Sequence, residues 1–132
     1  MNPAVPVPTP ETLPFWEGTA MGELRLPWCV PCGAPFFYPR RTCPDCGSAE
    51  IEWRAASGRA TLQSYIINHR PIPAGDPLII AIVKLEEGPR MMTNIVNVEP
   101  VPEDLTLDMA LEVAFVDRDG QSLAVFGPVG SW

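Results

Sequence analysis

Between Trp28 and Ser48 the chain reads WCVPCGAPFFYPRRTCPDCGS, and all four of its cysteines lie here, as two copies of Cys-x-x-Cys-Gly. A Cys-x-x-Cys turn places two sulfurs about one tetrahedral edge apart, and two such turns facing each other complete a four-coordinate shell. The glycine after each pair, Gly33 and Gly47, suits a residue that turns back with positive φ so that backbone N–H groups point at the sulfurs. The ten residues between the pairs, GAPFFYPRRT, are enough for a short hairpin between two knuckles.

The ligand set read from this spacing is Cys29, Cys32, Cys43 and Cys46, holding one zinc ion. Two disulfides would need an oxidising compartment that nothing in the sequence indicates. Iron in a rubredoxin-like site uses the same four thiolates, and spacing does not separate the two metals. A four-thiolate shell has no open position, so such a zinc activates no water and its role is structural. The segment that it would hold carries Phe36, Phe37 and Tyr38, followed by Pro39-Arg40-Arg41.

Around this block the chain divides into four parts. Residues 1–14 alternate proline with small or apolar residues and read as a flexible, proline-rich arm. Residues 15–27 read as a short helix, with Pro14 at its start and Gly22 at its end, then a lead-in strand. Residues 28–53 form the ribbon. Residues 54–132 change to strand rhythm after the breaker pair Ser57-Gly58.

Five strands are expected there. RATLQSYIINHR (59–70) comes first. PLIIAIVKLEEG (77–88) is a β-branched run read as buried on both faces for part of its length. MMTNIVNVE (91–99) follows, and EPVPEDLTLDM leaves room for one helical turn at most. LEVAFVD (111–117) and QSLAVFGP (121–128) close the chain as a hairpin through Arg118-Asp119-Gly120. The expected fold is therefore mainly β: a short helix and a rubredoxin-like zinc ribbon, then a five-stranded OB-fold barrel. An open five-stranded meander fits the same strand order, but a closed barrel leaves no sticky edge.

Composition narrows the function. With 132 residues the chain is about one domain long. Its net charge of −7, with nine Lys and Arg against sixteen acids, suits nucleic acid poorly. The sequence has neither an 18-residue apolar run nor a signal-like start, so a cytoplasmic protein is expected, with neither nucleic acid nor membrane as partner. Nor is there a catalytic set: the cysteines are committed to metal, and His69 is the single histidine. Phosphate loops of the GxxxxGK or GxGxxG kind are also missing.

In order, PFWEG, GELRLPWCVPCG, FFYPRRTCPDCGS, SGRATLQSY and IAIVKLEEGPRMMTNIVNV closely resemble a family of stand-alone zinc-ribbon plus OB-fold proteins, long catalogued as a domain of unknown function. The resemblance runs from about Pro14 to Pro128, and the family's cysteine ligands map onto all four cysteines. It implies a non-catalytic accessory subunit. Its partners would be thiolases, acyltransferases related to hydroxymethylglutaryl-CoA synthase, or lipid-transfer-protein-like aldolases acting on steroid side-chain CoA esters. In some systems the domain is fused to a MaoC-type hydratase chain. The subunit would stabilise its partner and help to form the acyl-CoA site. One departure is Asp108, where relatives tend to carry glycine, so the bend before the fourth strand is expected to differ.

Phe15, Trp16, Phe36 and Phe37 are read as an exposed partner-facing set, with packing of Phe36, Phe37 and Tyr38 down onto the barrel as the alternative for the ribbon aromatics. The runner-up reading is a stand-alone acyl-CoA binder with Arg54, Arg59 and Arg70 on the phosphates. A single-stranded nucleic-acid binder ranks third.

Overall fold

The structure is a computed structural model that describes residues 8–69, 77–118 and 120–130. Helix α1 (Leu13–Ala20) opens it, with Pro14 in its first turn, where a missing N–H costs nothing. Met21 caps its end, and Gly22 follows at φ 74°. The expected helix is present one residue earlier.

Three short strands follow: β1 (Arg25–Cys29), β2 (Ala34–Pro35) and β3 (Ile51–Ala55). They form an antiparallel sheet in the order β2-β1-β3. Pro27 sits in the central strand facing Trp53. The hairpin expected between the knuckles is β1–β2, with Cys29 opposite Ala34. Strand β3 was not foreseen. Ile51 and Trp53 are its only large apolar residues, and Glu52 and Arg54 alternate with them on its exposed face.

Five further strands close into a barrel in the order β4-β5-β6-β8-β7: β4 (Arg59–Asn68), β5 (Leu78–Leu85), β6 (Arg90–Ile95), β7 (Ala110–Arg118) and β8 (Gln121–Pro128). Four of the pairings are antiparallel. The seam that closes the barrel is a parallel contact between β6 and β8 at Ile95 and Phe126. Closure through one short contact distinguishes this barrel from the open meander. Between β6 and β7 runs a single 3-10 turn (Pro102–Asp104), as the prolines there suggested.

The core is built from inward positions taken at every second residue. On β5 these are Ile79, Ala81, Val83 and Leu85, all buried, while Ile82 and Lys84 between them are exposed. β5 therefore alternates and is not buried on both faces. The apolar run concealed this because the outward positions Ile80 and Ile82 are apolar too. Leu62, Leu111 and Phe126 are fully enclosed at the centre, and Phe15 from α1, Leu24 just before β1 and Leu26 on β1 join the same cluster. The helix is stitched to the barrel by Thr19, whose hydroxyl donates to Ser122 O (2.8 Å) while the Ser122 hydroxyl donates to Thr19 O (2.9 Å).

Gly58 forms the joint between ribbon and barrel. It is at φ 83°, and a Cβ there would lie 2.5 Å from Val113 Cγ1. Asp108 adopts a left-handed bend with φ 66°, and its N–H donates to Leu62 O at 2.7 Å. Aspartate tolerates this conformation better than most side chains.

Candidate functional site

Cys29 ends β1, and the chain turns back through Gly33 at φ 66°, whose N–H donates to Cys29 O at 2.9 Å. The second knuckle repeats this, with Gly47 at φ 77° and its N–H donating to Cys43 O at 2.9 Å. The two turns bring four sulfurs together, all within 4.8 Å of one another. Cys29 and Cys46 are 3.5 Å apart, and Cys32 and Cys43 are 3.9 Å apart. A tetrahedron of sulfurs about 2.3 Å from a zinc ion has edges of about 3.8 Å, so the donors fit a structural zinc.

Backbone donors already face the sulfurs: Cys32 N–H donates to Cys29 Sγ and Asp45 N–H to Cys43 Sγ, each at 3.4 Å. Cys43 is held down at about 7, chiefly by the backbone N–H of Cys46, which favours its thiolate. Cys32 is pushed up to about 12, chiefly by its hydrogen bond with the Cys46 thiol. One buried sulfur from each knuckle, Cys29 and Cys43, faces inward, and Cys32 and Cys46 lie at the surface. All four donors are protein thiols, so a bound zinc has no position left for substrate.

The aromatic set divides. Phe15 and Phe36 are only 6% and 8% exposed, so their expected exposure is corrected. Phe15 packs edge-on to Trp16 at 4.9 Å and against Phe37 at 5.7 Å, and these contacts draw it into the core. Trp16 and Phe37 stay half-buried on the walls of an apolar groove of about 330 Å³, shared with Tyr38, Met92, Asn94 and Ala124. No local pattern indicates that the third barrel strand reaches this groove, because ribbon and barrel meet there only in three dimensions.

Of the arginines expected on phosphates, the two described engage different acids. Arg54 lies 4.7 Å over the Trp28 ring and pairs with Glu52. Arg59 pairs with Glu86 at 3.6 Å beside Lys84. Arg70 lies outside the described residues. His69 is exposed just beyond β4. No helix among the described residues is long and apolar enough to cross a membrane.

Comparison with known proteins agrees with both halves. Residues 16–52 match the ChsH2 rubredoxin-like zinc ribbon domain, and residues 53–116 match the ChsH2 C-terminal OB-fold domain. The chain is 32% identical over 118 residues to the probable enoyl-CoA hydratase alpha subunit of Thermomonospora curvata. That match covers 86% of this chain but only 36% of the hydratase subunit, so the chain spans about a third of that relative's length. It is 36% identical over 97 residues to a DUF35 domain-containing scaffold protein of Methanothermobacter thermautotrophicus, covering 70% of this chain and 73% of the relative. Among solved structures it resembles a chain of the Ltp2-ChsH2(DUF35) aldolase, with a TM-score of 0.83 at 28% identity over 94% of this chain and 98% of that one. In sequence, fold and cysteine arrangement the chain belongs to the DUF35 family, as a ChsH2-type zinc ribbon joined to an OB-fold barrel.

Proposed function

We propose that this chain is a non-catalytic accessory subunit of a thiolase-like enzyme acting on acyl-CoA, such as a thiolase, an acyltransferase or a lipid-transfer-protein-like aldolase. The observation that carries this reading is its end-to-end likeness to the ChsH2(DUF35) chain of the Ltp2-ChsH2 aldolase, ribbon and barrel together. Two features of the site support it. The four-thiol cluster leaves no open metal position for chemistry. The half-buried Trp16 and Phe37 border an open apolar groove, as a surface completed by a partner would. On this reading the chain stabilises its partner and helps to shape the partner's acyl-CoA site, and the reacting groups belong to the partner.

Co-expression with a thiolase-like protein from the same organism tests the reading. The two chains are expected to elute as one complex whose activity is lost without this subunit. Clean separation, with full activity in the partner alone, contradicts it. Calorimetry of CoA with the isolated chain addresses the stand-alone binder. Weak or absent binding is expected, because Arg54 and Arg59 are already paired with acids.

A further inference from the structure

The outer face of β4, β5 and β6 forms a three-by-three lattice of side chains, fixed by the strand register. Ile66 lies opposite Ile80, and Ile80 opposite Asn94. In the next row Ser64 faces Ile82, and Ile82 faces Met92. In the third, Thr61 faces Lys84, and Lys84 faces Arg90.

Two features of this lattice have no explanation among the described residues. Its centre is apolar and open: Ile66 is 62% exposed, Ile82 37% and Met92 69%. Its third row places Lys84 directly opposite Arg90, both exposed, and neither makes an ion pair among the described residues. Like charges directly opposite in a sheet are destabilising. Among the described residues no acid pairs with either, and β4, β5 and β6 themselves contain no Asp or Glu in a chain that carries sixteen. The neighbouring turn acids are engaged elsewhere, Glu86 with Arg59 and Glu87 Oε2 with the Ser57 N–H at 2.7 Å.

We propose that this face docks the partner subunit, through an apolar patch on the partner flanked by carboxylates that meet Lys84 and Arg90. The inference rests on the accessory-subunit reading and says which surface carries it. Charge complementarity identifies the occupant: an acid-free strand face on a chain of net charge −7 is matched to an anionic surface. Shape selects protein over small molecule. The lattice stands on the outside of a barrel, whereas a small ligand needs a concavity that encloses most of its surface. Met92 and Asn94 also line the groove beside Trp16 and Phe37, so lattice and groove form one continuous surface.

The proposal has a signature that a merely structural pair would not give. K84E places an acid opposite Arg90, so the isolated chain should melt no lower than wild type, with its zinc content unchanged. The same substitution faces the partner's carboxylates with a like charge, and the Kd for the co-assembling thiolase-like protein should rise about a hundredfold. M92D should weaken assembly similarly, whereas V129D, off this face, should leave it unchanged. If wild type assembles and both K84E and M92D assemble with unaltered affinity, the docking face is wrong and the accessory reading survives. If wild type itself fails to assemble, both fall. If K84E changes only the binding of CoA or of a single-stranded oligonucleotide, the face is a ligand site and the proposal is overturned.

Discussion

The ribbon and the barrel achieve order by opposite means. The barrel encloses Leu62, Val83, Leu111 and Phe126 in a continuous apolar cluster and closes its own sheet. In the ribbon, most residues of the two cysteine turns are exposed, and β2 is two residues long. Its buried side chains at that end are Cys29, Phe36, Pro39 and Cys43. A segment with so little apolar burial cannot offset the entropy of ordering its turns, so metal ligation must supply the difference. Strand β1 belongs to both regimes: Leu26 lies in the common core, and three residues later Cys29 belongs to the metal cluster.

The sharpest way to break this comparison is to remove the metal. Binding of a structural zinc supplies on the order of 10 kcal/mol or more of folding free energy. Chelation, or Cys43→Ser, should therefore abolish amide protection in β2 and in the Cys29 end of β1, while β4 through β8 keep theirs in hydrogen exchange. Loss of protection throughout the chain would mean that the two regions fold as one unit. The converse experiment is Phe126→Ala, which should cost about 3–5 kcal/mol in denaturant unfolding through the cavity that it leaves. Because Leu24 and Leu26 share that core, the ribbon should lose its anchor in the same transition.

Smaller effects probe the joints. Gly58→Ala meets both a left-handed backbone and the Val113 methyl, so a loss of about 1–3 kcal/mol is expected. Val113→Ala in the same chain should recover part of that loss, and a double-mutant cycle reads the recovery. Smallest is Asp108→Gly, which removes the left-handed cost to a side chain but adds backbone freedom to the unfolded chain. A net gain of about 0.5 kcal/mol is expected.

The same division explains what could be read from the sequence. The metal cluster was legible because ligand type and spacing are local, and Gly33 and Gly47 mark the turns that the ligands require. The barrel strands were legible from their apolar content, but not which face each one buries. On β5 the outward Ile80 and Ile82 masked the alternation, and those are the residues now assigned to a docking face. The burial of Phe15 and Phe36 and the Ile95–Phe126 closure depend on segments far apart in the chain, and no local pattern encodes them. Strand β3 escaped notice because it is half-exposed and its partner β1 contains a proline.

The account depends most on the four sulfurs saturating one ion. Zinc content and thiol reactivity, measured together on the purified native chain, test this directly. One zinc per chain is expected, with all four cysteines unreactive toward a thiol reagent until a chelator is added. A chain free of metal, with Cys32 and Cys46 reacting at once, would contradict it.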